Sequence, residues 1–301
     1  MISVIIPCYN CAGFISRSID SVLNQTYQDV EIILVNNNST DGSLQVLHKY
    51  GSEFPDKIFV FDETKKGAPA ARNHGLTKAR GEWIQFLDAD DELLPGKLQQ
   101  QFEIASNTGA DLIAGACLLK YKLKNKINEI VRRADPDIWR GLITSNLGIT
   151  SSNLWRKRVL LDVNGWDETL SSSQEYDLLF RLLKNNAKVA VDDAVNTIIH
   201  FSDNSISKSR DKEKLKRILE NRVNLRLRIK NELRASGILT HQLAQAVDTY
   251  IYTELTNNYF AIPEYADDFM RKHRLDVKYS RVISLNTKMF LKHLYAQIVA
   301  S

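Results

Sequence analysis

The chain has 301 residues, 44% of them apolar and 25% charged, with a net charge of +4. This is ordinary globular composition, enough for one large domain or a domain with an appendage, and the charge is too small to argue for a nucleic-acid partner. The longest apolar run, residues 112–119, falls far short of the roughly 20 residues needed to span a bilayer. Three sparse cysteines, Cys8, Cys11 and Cys117, do not make a disulfide framework and point to a reducing, cytoplasmic compartment. The Cys8–Cys11 spacing reads either as a redox pair or as small residues at a strand end. No basic leader precedes the first strand-like run, so no signal peptide is expected.

In chain order, residues 3–7 form a β-rich run ending at a proline, and residues 13–24 carry Ile15, Ile19, Val22 and Leu23 at helical spacing. Residues 30–35 are a nearly unbroken apolar strand, followed by a helix to about Tyr50 that Ser39 or Asp41 would cap. A third strand at 58–61 precedes a helix at 68–79, which ends with basic residues and Gly81. A fourth strand at 83–87, a helix at 95–107 and a fifth strand at 112–121 complete the alternation. Such alternation predicts an α/β fold with a mostly parallel central sheet flanked by helices. Ligands of such sheets bind beyond the C-terminal strand ends.

Residues 122–150 are less regular. A strand at 153–155, a short helix at 159–163, a helix at 174–183 and a strand at 195–201 follow. The remainder is helical, including an amphipathic stretch at 282–299. The expected organisation is a catalytic domain over 1–207, divided into 1–121 and 122–207, and a helical C-terminal region over 208–301.

Three strand ends carry unusual polar residues: Pro7-Cys8-Tyr9-Asn10, Asn36-Asn37-Asn38-Ser39-Thr40-Asp41-Gly42 and Asp88-Ala89-Asp90-Asp91. All fall on one edge of the predicted sheet. Three acids within four residues repel one another, by about 4 kcal/mol per pair at ~4 Å and an effective dielectric near 20. Such a cluster raises a pKa or holds a cation. An all-oxygen donor set suits Mg²⁺ or Mn²⁺. The cluster reads either as a cation site on Asp88 and Asp90 or as a solvated turn, with Asp91 as the cap of the next helix. No glycine-rich phosphate loop follows the first strand, so bound phosphates would need a cation and basic side chains. Arg72 is either such a side chain or an ordinary helix-surface charge.

At these residues the chain resembles a family 2 glycosyltransferase of GT-A fold. The matching text is VIIPCYN at 4–10, SVLNQTYQDVEIILV at 21–35, STDGS at 39–43, GAPAARNHGL at 67–76 and GEWIQFLDADD at 81–91, with weaker matches in NGWDE at 164–168 and QEYDLLFRL at 174–182. The resemblance covers residues 1–207. It implies an inverting, metal-dependent transfer of sugar from a nucleotide diphosphate donor, a UDP-sugar above all, to a saccharide or lipid-linked acceptor in surface polysaccharide or glycolipid assembly. Pro7, Tyr9, Asn37, Arg72 and Asp88 would contact the nucleotide sugar, and Asp88 and Asp90 would hold Mn²⁺ or Mg²⁺. Glu175 would be the catalytic base, and Trp166 and Asp167 would lie near the acceptor. His200 is a candidate metal or diphosphate contact, with a structural histidine as the alternative. Two departures stand out: Asn36-Asn37 replaces the family's usual Asp-Asp, and Gln174-Glu175 its usual Glu-Asp. A nucleotidyltransferase and a non-catalytic nucleotide-sugar binder are the competing readings.

Residues 208–234 hold eleven Lys and Arg against four acids, a local charge of +7. A basic helix of this kind lies on an anionic membrane surface, giving peripheral contact at the inner face, or is a solvated helix packed within the protein.

Overall fold

The computed structural model describes residues 1–123, 126–201 and 211–300, with side chains for 1–121, 127–201 and 211–291. The predicted boundary near residue 208, the basic residues Lys208 and Arg210, and the side chains of the 292–299 stretch lie outside these. The chain forms two compact units, the first made of Met1–Gly141, Ser145–Thr169 and Gln174–Ser205, the second of Leu142–Thr144, Leu170–Ser173 and Ile206–Ser301.

The first unit is built on nine strands: β1 (Ile2–Cys8), β2 (Val30–Asn36), β3 (Ile58–Asp62), β4 (Trp83–Phe86), β5 (Glu92–Leu93), β6 (Leu112–Leu123), β7 (Lys126–Arg132), β8 (Leu154–Arg156) and β9 (Val189–Phe201). They form one sheet in the order β3-β2-β1-β4-β8-β6-β9-β5, with β7 also on β6. The α/β class and flanking helices are as expected, and the sheet is mixed. β1, β2, β3 and β4 pair in parallel, as do β6 and β9. β8 inserts antiparallel between β4 and β6, so the fifth predicted strand does not continue the parallel run. The short β5 and the edge strand β7 escaped sequence reading, because neither carries a buried apolar period of useful length.

The central strands follow from composition. Every residue of β2, VEIILVN, is buried, which is the pattern of a parallel strand covered on both faces. Helices α1 (Ile15–Leu23), α2 (Ser43–Glu53), α3 (Ala68–Lys78) and α4 (Lys97–Thr108) connect the early strands. α1 buries Ile15, Ser18, Ile19 and Val22 on one stripe. Neither predicted residue caps α2 by its side chain; instead Asp41 accepts from the Ser43 N–H at 3.0 Å, just ahead of the helix. α3 starts at Gly67, whose φ of 121° suits only glycine, with a proline in its first turn. It packs closely on β1 because Gly75 has no side chain: a Cβ there would sit 2.4 Å from Ile5 Cγ2. α5 (Ile138–Thr144), α6 (Lys157–Asp162) and α7 (Gln174–Lys184) follow.

The second unit contains α8 (Lys212–Ala235), α9 (His241–Asn257), α10 (Pro263–Lys272) and α11 (Tyr279–Ala300). Asp211 caps α8 by accepting from the N–H groups of Glu213 and Lys214. Part of the basic charge read from the sequence is engaged inside this unit. Arg226 is buried, donates to the Ile143 carbonyl at 2.9 Å and stacks 3.8 Å from the Tyr250 ring centre. Arg222 pairs with Glu254 at 2.7 Å and Lys230 with Asp248 at 2.6 Å. No helix among the described residues is long and apolar enough to cross a membrane.

Candidate active site

The site begins with a missing proton. The Ile5 carbonyl accepts from Leu87 N at 3.0 Å, and the Cys8 carbonyl from Asn37 N at 2.7 Å. Odd-numbered residues of β1 therefore face β4 and even-numbered ones β2. Pro7 has no N–H to offer β4. The β1–β4 register stops at Ile5↔Phe86, whereas β1–β2 continues to Cys8↔Asn36. The chain after β4 leaves the sheet at this point, and the sheet order reverses here: β1 leads to β2 on one side, and β3 leads to β4 on the other. A crevice at such a switch point is where α/β sheets bind ligands.

The departing chain is the acidic loop, closed by a bond from Asp91 N to the Asp88 carbonyl at 3.0 Å. α1 grips its backbone. Ser18 Oγ, fully buried, lies 2.7 Å from the Ala89 carbonyl and 2.5 Å from that of Asp91, sharing one proton between them. Arg17 Nη2 donates to the Asp90 carbonyl. Asp88 and Asp90 stay half-buried. Burial, then the charge of Asp88, raises the pKa of Asp90, which Arg17 and His200 partly offset. Asp91 is not the helix cap expected of it. α4 has no side-chain cap, and Asp91 is 3% exposed, accepting from Ser151 Oγ at 2.6 Å and His200 N at 3.3 Å. Burial and the two neighbouring carboxylates push its pKa well up.

Arg72 comes from the first turns of α3 and is 6% exposed, so it is no surface charge. Its Nη2 lies 2.5 Å from Asp88 Oδ1, and its guanidinium carbon 4.5 Å from the Trp166 ring centre. Arg72 Nε is buried and has no partner among the described residues. Trp166 is 2% exposed and edge-on to Phe86 at 5.2 Å, so its ring backs Arg72 and presents almost nothing to solvent. Asn73 clamps the Trp166 backbone, donating to its carbonyl at 2.9 Å and accepting from its N–H at 2.8 Å. Asp167 is half-buried and accepts from the Thr169 N–H at 2.9 Å and hydroxyl at 2.6 Å.

Beyond β1, Tyr9 is 57% exposed. Asn37 is 6% exposed. Its Nδ2 donates to the carbonyls of Glu63 and Lys65 at 2.8 and 2.7 Å, and its Oδ1 accepts from Gly67 N at 2.8 Å. These partners fix the amide orientation, since a flip would set oxygen against two carbonyls. Both Nδ2 protons are committed, and one Oδ1 lone pair remains.

Glu175 stands in the first turn of α7. Its Oε1 is buried with no partner among the described residues. Burial raises its pKa to about 8, with Asp88 adding to the rise and Arg132, Arg72 and the Thr150 hydroxyl opposing it. The electrostatic influence of Asp88 and Arg72 on Glu175 links this carboxyl to the acidic loop. His200 Nε2 lies 2.8 Å from Glu92 Oε1.

Among the described residues no group of three His, Cys, Asp or Glu side chains is arranged to hold a metal ion. Asp88 and Asp90 offer two hard carboxylates whose mutual repulsion a cation would relieve. That suits an ion drawing its other ligands from phosphate and water. All three cysteines are buried thiols. Arg17, Ser18 and Ser151 were missed in the sequence: each sits in ordinary helix or loop text, and only the fold brings it to the acidic loop.

A family model described as Glycosyl transferase family 2 matches residues 3–162. An uncharacterized glycosyltransferase of Rickettsia bellii (strain RML369-C) is 32% identical over 198 residues, 61% of this chain and 27% of that protein. One from Nostoc sp. (strain PCC 7120 / SAG 25.82 / UTEX 2576) is 46% identical over 103 residues, 34% of this chain and 32% of that protein. The chain thus spans about a third or less of the length of these two relatives. Among solved structures, S. aureus TarS 1–349 in complex with UDP-GlcNAc superposes with a TM-score of 0.62 at 18% identity, covering 89% of this chain and 83% of that one. The mannosyltransferase PcManGT from Pyrobaculum calidifontis, in complex with GDP-Man and Mn²⁺, superposes with a TM-score of 0.58 at 17% identity, covering 90% and 78%. At these identities the likeness is one of fold.

Proposed function

The chain belongs to glycosyl transferase family 2, and from that premise we propose that it is an inverting, metal-dependent glycosyltransferase that moves a sugar from a UDP-sugar to an acceptor hydroxyl. The observation that carries this reading is Glu175: a half-buried residue with one buried, unpartnered carboxylate oxygen and a pKa raised to about 8, within electrostatic reach of Asp88 and Arg72. A base tuned toward the working pH is what proton abstraction from a hydroxyl needs. Glu175 takes the acceptor proton on Oε1 as the acceptor oxygen bonds to the anomeric carbon. The bond from that carbon to the diphosphate breaks, its electron pair leaving with the nucleoside diphosphate. Attack by the acceptor itself, with no covalent intermediate, is a single displacement, which inverts the anomeric centre.

Arg72, held by Trp166 and Asn73 through α3, meets the charge gathering on the leaving group, and its free Nε–H is a donor for a phosphate oxygen. Asp88 and Asp90 would hold Mn²⁺ or Mg²⁺, which would supply Lewis-acid stabilisation of the diphosphate. His200 flanks this pair. Tyr9 offers an exposed ring for the nucleobase, Asn37 accepts the uracil N3–H on its remaining lone pair, and Pro7 keeps the crevice open. Asp167 borders the acceptor side. The biological setting proposed is surface polysaccharide or glycolipid assembly in the cytoplasm, with a saccharide or lipid-linked acceptor at the membrane face.

The test is a thermal-shift panel of nucleotide sugars with Mn²⁺, then affinity for UDP with Mn²⁺ or with EDTA, in the parent and in Asp90→Ala. Ligand that binds the native state raises its stability as RT ln(1 + [L]/Kd). Metal-dependent binding that Asp90→Ala abolishes supports the reading, and equal affinity in every arm removes the metal site from it.

A further inference from the structure

The acidic loop is held from one side by α1. On the other side one hydroxyl bonds to both ends of the Asp88–Asp91 segment. Ser151 lies in a 3-10 turn, Thr150–Ser152, between α5 and β8. It is 1% exposed. Its Oγ donates to Asp91 Oδ2 at 2.6 Å and accepts from the Asp88 N–H at 3.1 Å. It therefore joins the first and last residues of the Asp88–Asp91 segment, with Asp90 between them. Its carbonyl accepts from Gln85 Nε2 at 2.9 Å, and Gln85 Oε1 in turn accepts from the fully buried Lys97. The turn is thereby tied to β4, the strand that launches the loop, and to α4. Asp91 carries the same restraint across to β9 through the His200 N–H.

We propose that Ser151 is a positioning residue for the cation site: by bridging the Asp88 N–H and the Asp91 carboxylate it holds the Asp88 and Asp90 side chains at the separation a divalent cation and the donor diphosphate require. This rests on the reading of Asp88 and Asp90 as the cation-binding pair. A hydroxyl is suited to the task because it is donor and acceptor at once. Alanine could do neither, leaving the part-buried Asp88 N–H and a buried Asp91 carboxylate oxygen each without this partner. Partners of this kind behind metal ligands are worth about 10–100-fold in metal affinity or activity. The neighbouring Ser152 provides an internal comparison. It is equally buried, but its hydroxyl bonds to Ile149 and Asn153, around its own turn, and not to the acidic loop.

The experiment measures Mn²⁺ affinity by titration calorimetry, with and without UDP, in the full chain, Ser151→Ala, Ser151→Cys and Ser152→Ala. Cysteine keeps the size but bonds weakly, so it covers the case in which alanine does not fold. The expected result is a loss of at least about 10-fold in UDP-linked Mn²⁺ affinity for Ser151→Ala, a smaller loss for Ser151→Cys and near-parent affinity for Ser152→Ala. Parent-like Mn²⁺ affinity in Ser151→Ala, or in Ser151→Cys if alanine does not fold, overturns the proposal while leaving the glycosyltransferase reading intact, as does an equal loss in Ser152→Ala. A parent protein that binds UDP with no Mn²⁺ requirement overturns the cation-site reading and this proposal with it.

Discussion

Arg72 Nη2 lies 2.5 Å from Asp88 Oδ1, so one of the two carboxylates proposed to hold a cation is already engaged by a cation of the protein's own. Before ligand arrives, the guanidinium offsets part of the charge that crowds the acidic loop. With a diphosphate present, the same group has Nε unspent and can turn its charge to the new anion.

Arg72→Gln should therefore lower UDP affinity in the presence of Mn²⁺ by about 10-fold or more, since a hydrogen bond to a charged group contributes about 1.5–3 kcal/mol. Mn²⁺ affinity without nucleotide should hold or rise, because Asp88 is released. Calorimetry separates the two quantities. UDP binding as tight as in the parent would take Arg72 out of the diphosphate site.

Glu175 makes a kinetic prediction. With a pKa raised to about 8, the group is mostly protonated at neutral pH and becomes a competent base as pH rises. The kcat/KM for transfer should climb through about pH 8 and level off above it. Glu175→Gln, nearly the same shape without a basic oxygen, should lose about 10²-fold or more in turnover and keep donor affinity. A flat pH profile in the parent, or full activity in the variant, would remove Glu175 from the chemistry.

The same residue makes a stability prediction whose sign is fixed. The folded pKa of about 8 exceeds the ordinary 4.5, so between these values the native state holds a proton that the unfolded state has released. Stability falls as pH rises wherever the native state binds more protons. Glu175→Gln escapes that loss. Its melting temperature, relative to the parent, should show little gain near about pH 4, a growing gain up to about pH 8 and a constant gain above. A difference independent of pH across this window would show that the carboxyl ionises normally in the fold.

Asn37→Asp tests whether this position serves the loop as well as the nucleotide. Aspartate supplies no N–H, so the carbonyls of Glu63 and Lys65 would each face a carboxylate oxygen instead of a donor. An unsatisfied buried group costs about 1–3 kcal/mol, and a measurable fall in melting temperature is expected. UDP affinity should fall with it as the Glu63–Gly67 segment loosens. An Asn37→Asp variant as stable as the parent would mean that those bonds carry no weight.

Much of the fold was legible because the central strands declare themselves: Ile2–Cys8 and Val30–Asn36 are nearly unbroken apolar runs, and the helices between them keep a clear period. The antiparallel insertion of Leu154–Arg156 was not legible, since a three-residue strand says nothing about its direction or neighbours. At the site, the sequence marks acids but not burial. Nothing in Asp88-Ala89-Asp90-Asp91 tells that Asp91 points inward to Ser151 while Asp88 and Asp90 stay half-exposed. Arg72 was ambiguous for the same reason, as only the packing of α3 on β1 turns it inward. In α8, too, the sequence marks charges but not their partners. Arg222 and Lys230 pair with Glu254 and Asp248, and Arg226 is buried against the Ile143 carbonyl, all partners far along the chain.

The close seating of α3 at Gly75 has a consequence for inheritance of function. One added methyl group would meet Ile5 Cγ2 at 2.4 Å, and the helix would have to ride outward to make room. Arg72 is one turn away on the same rigid rod, so it would withdraw from Asp88 with the rod. A lineage could thus lose the proposed donor-binding geometry through an alanine that lies outside the site and alters no charge, while every residue of the recognisable acidic motif remained in place.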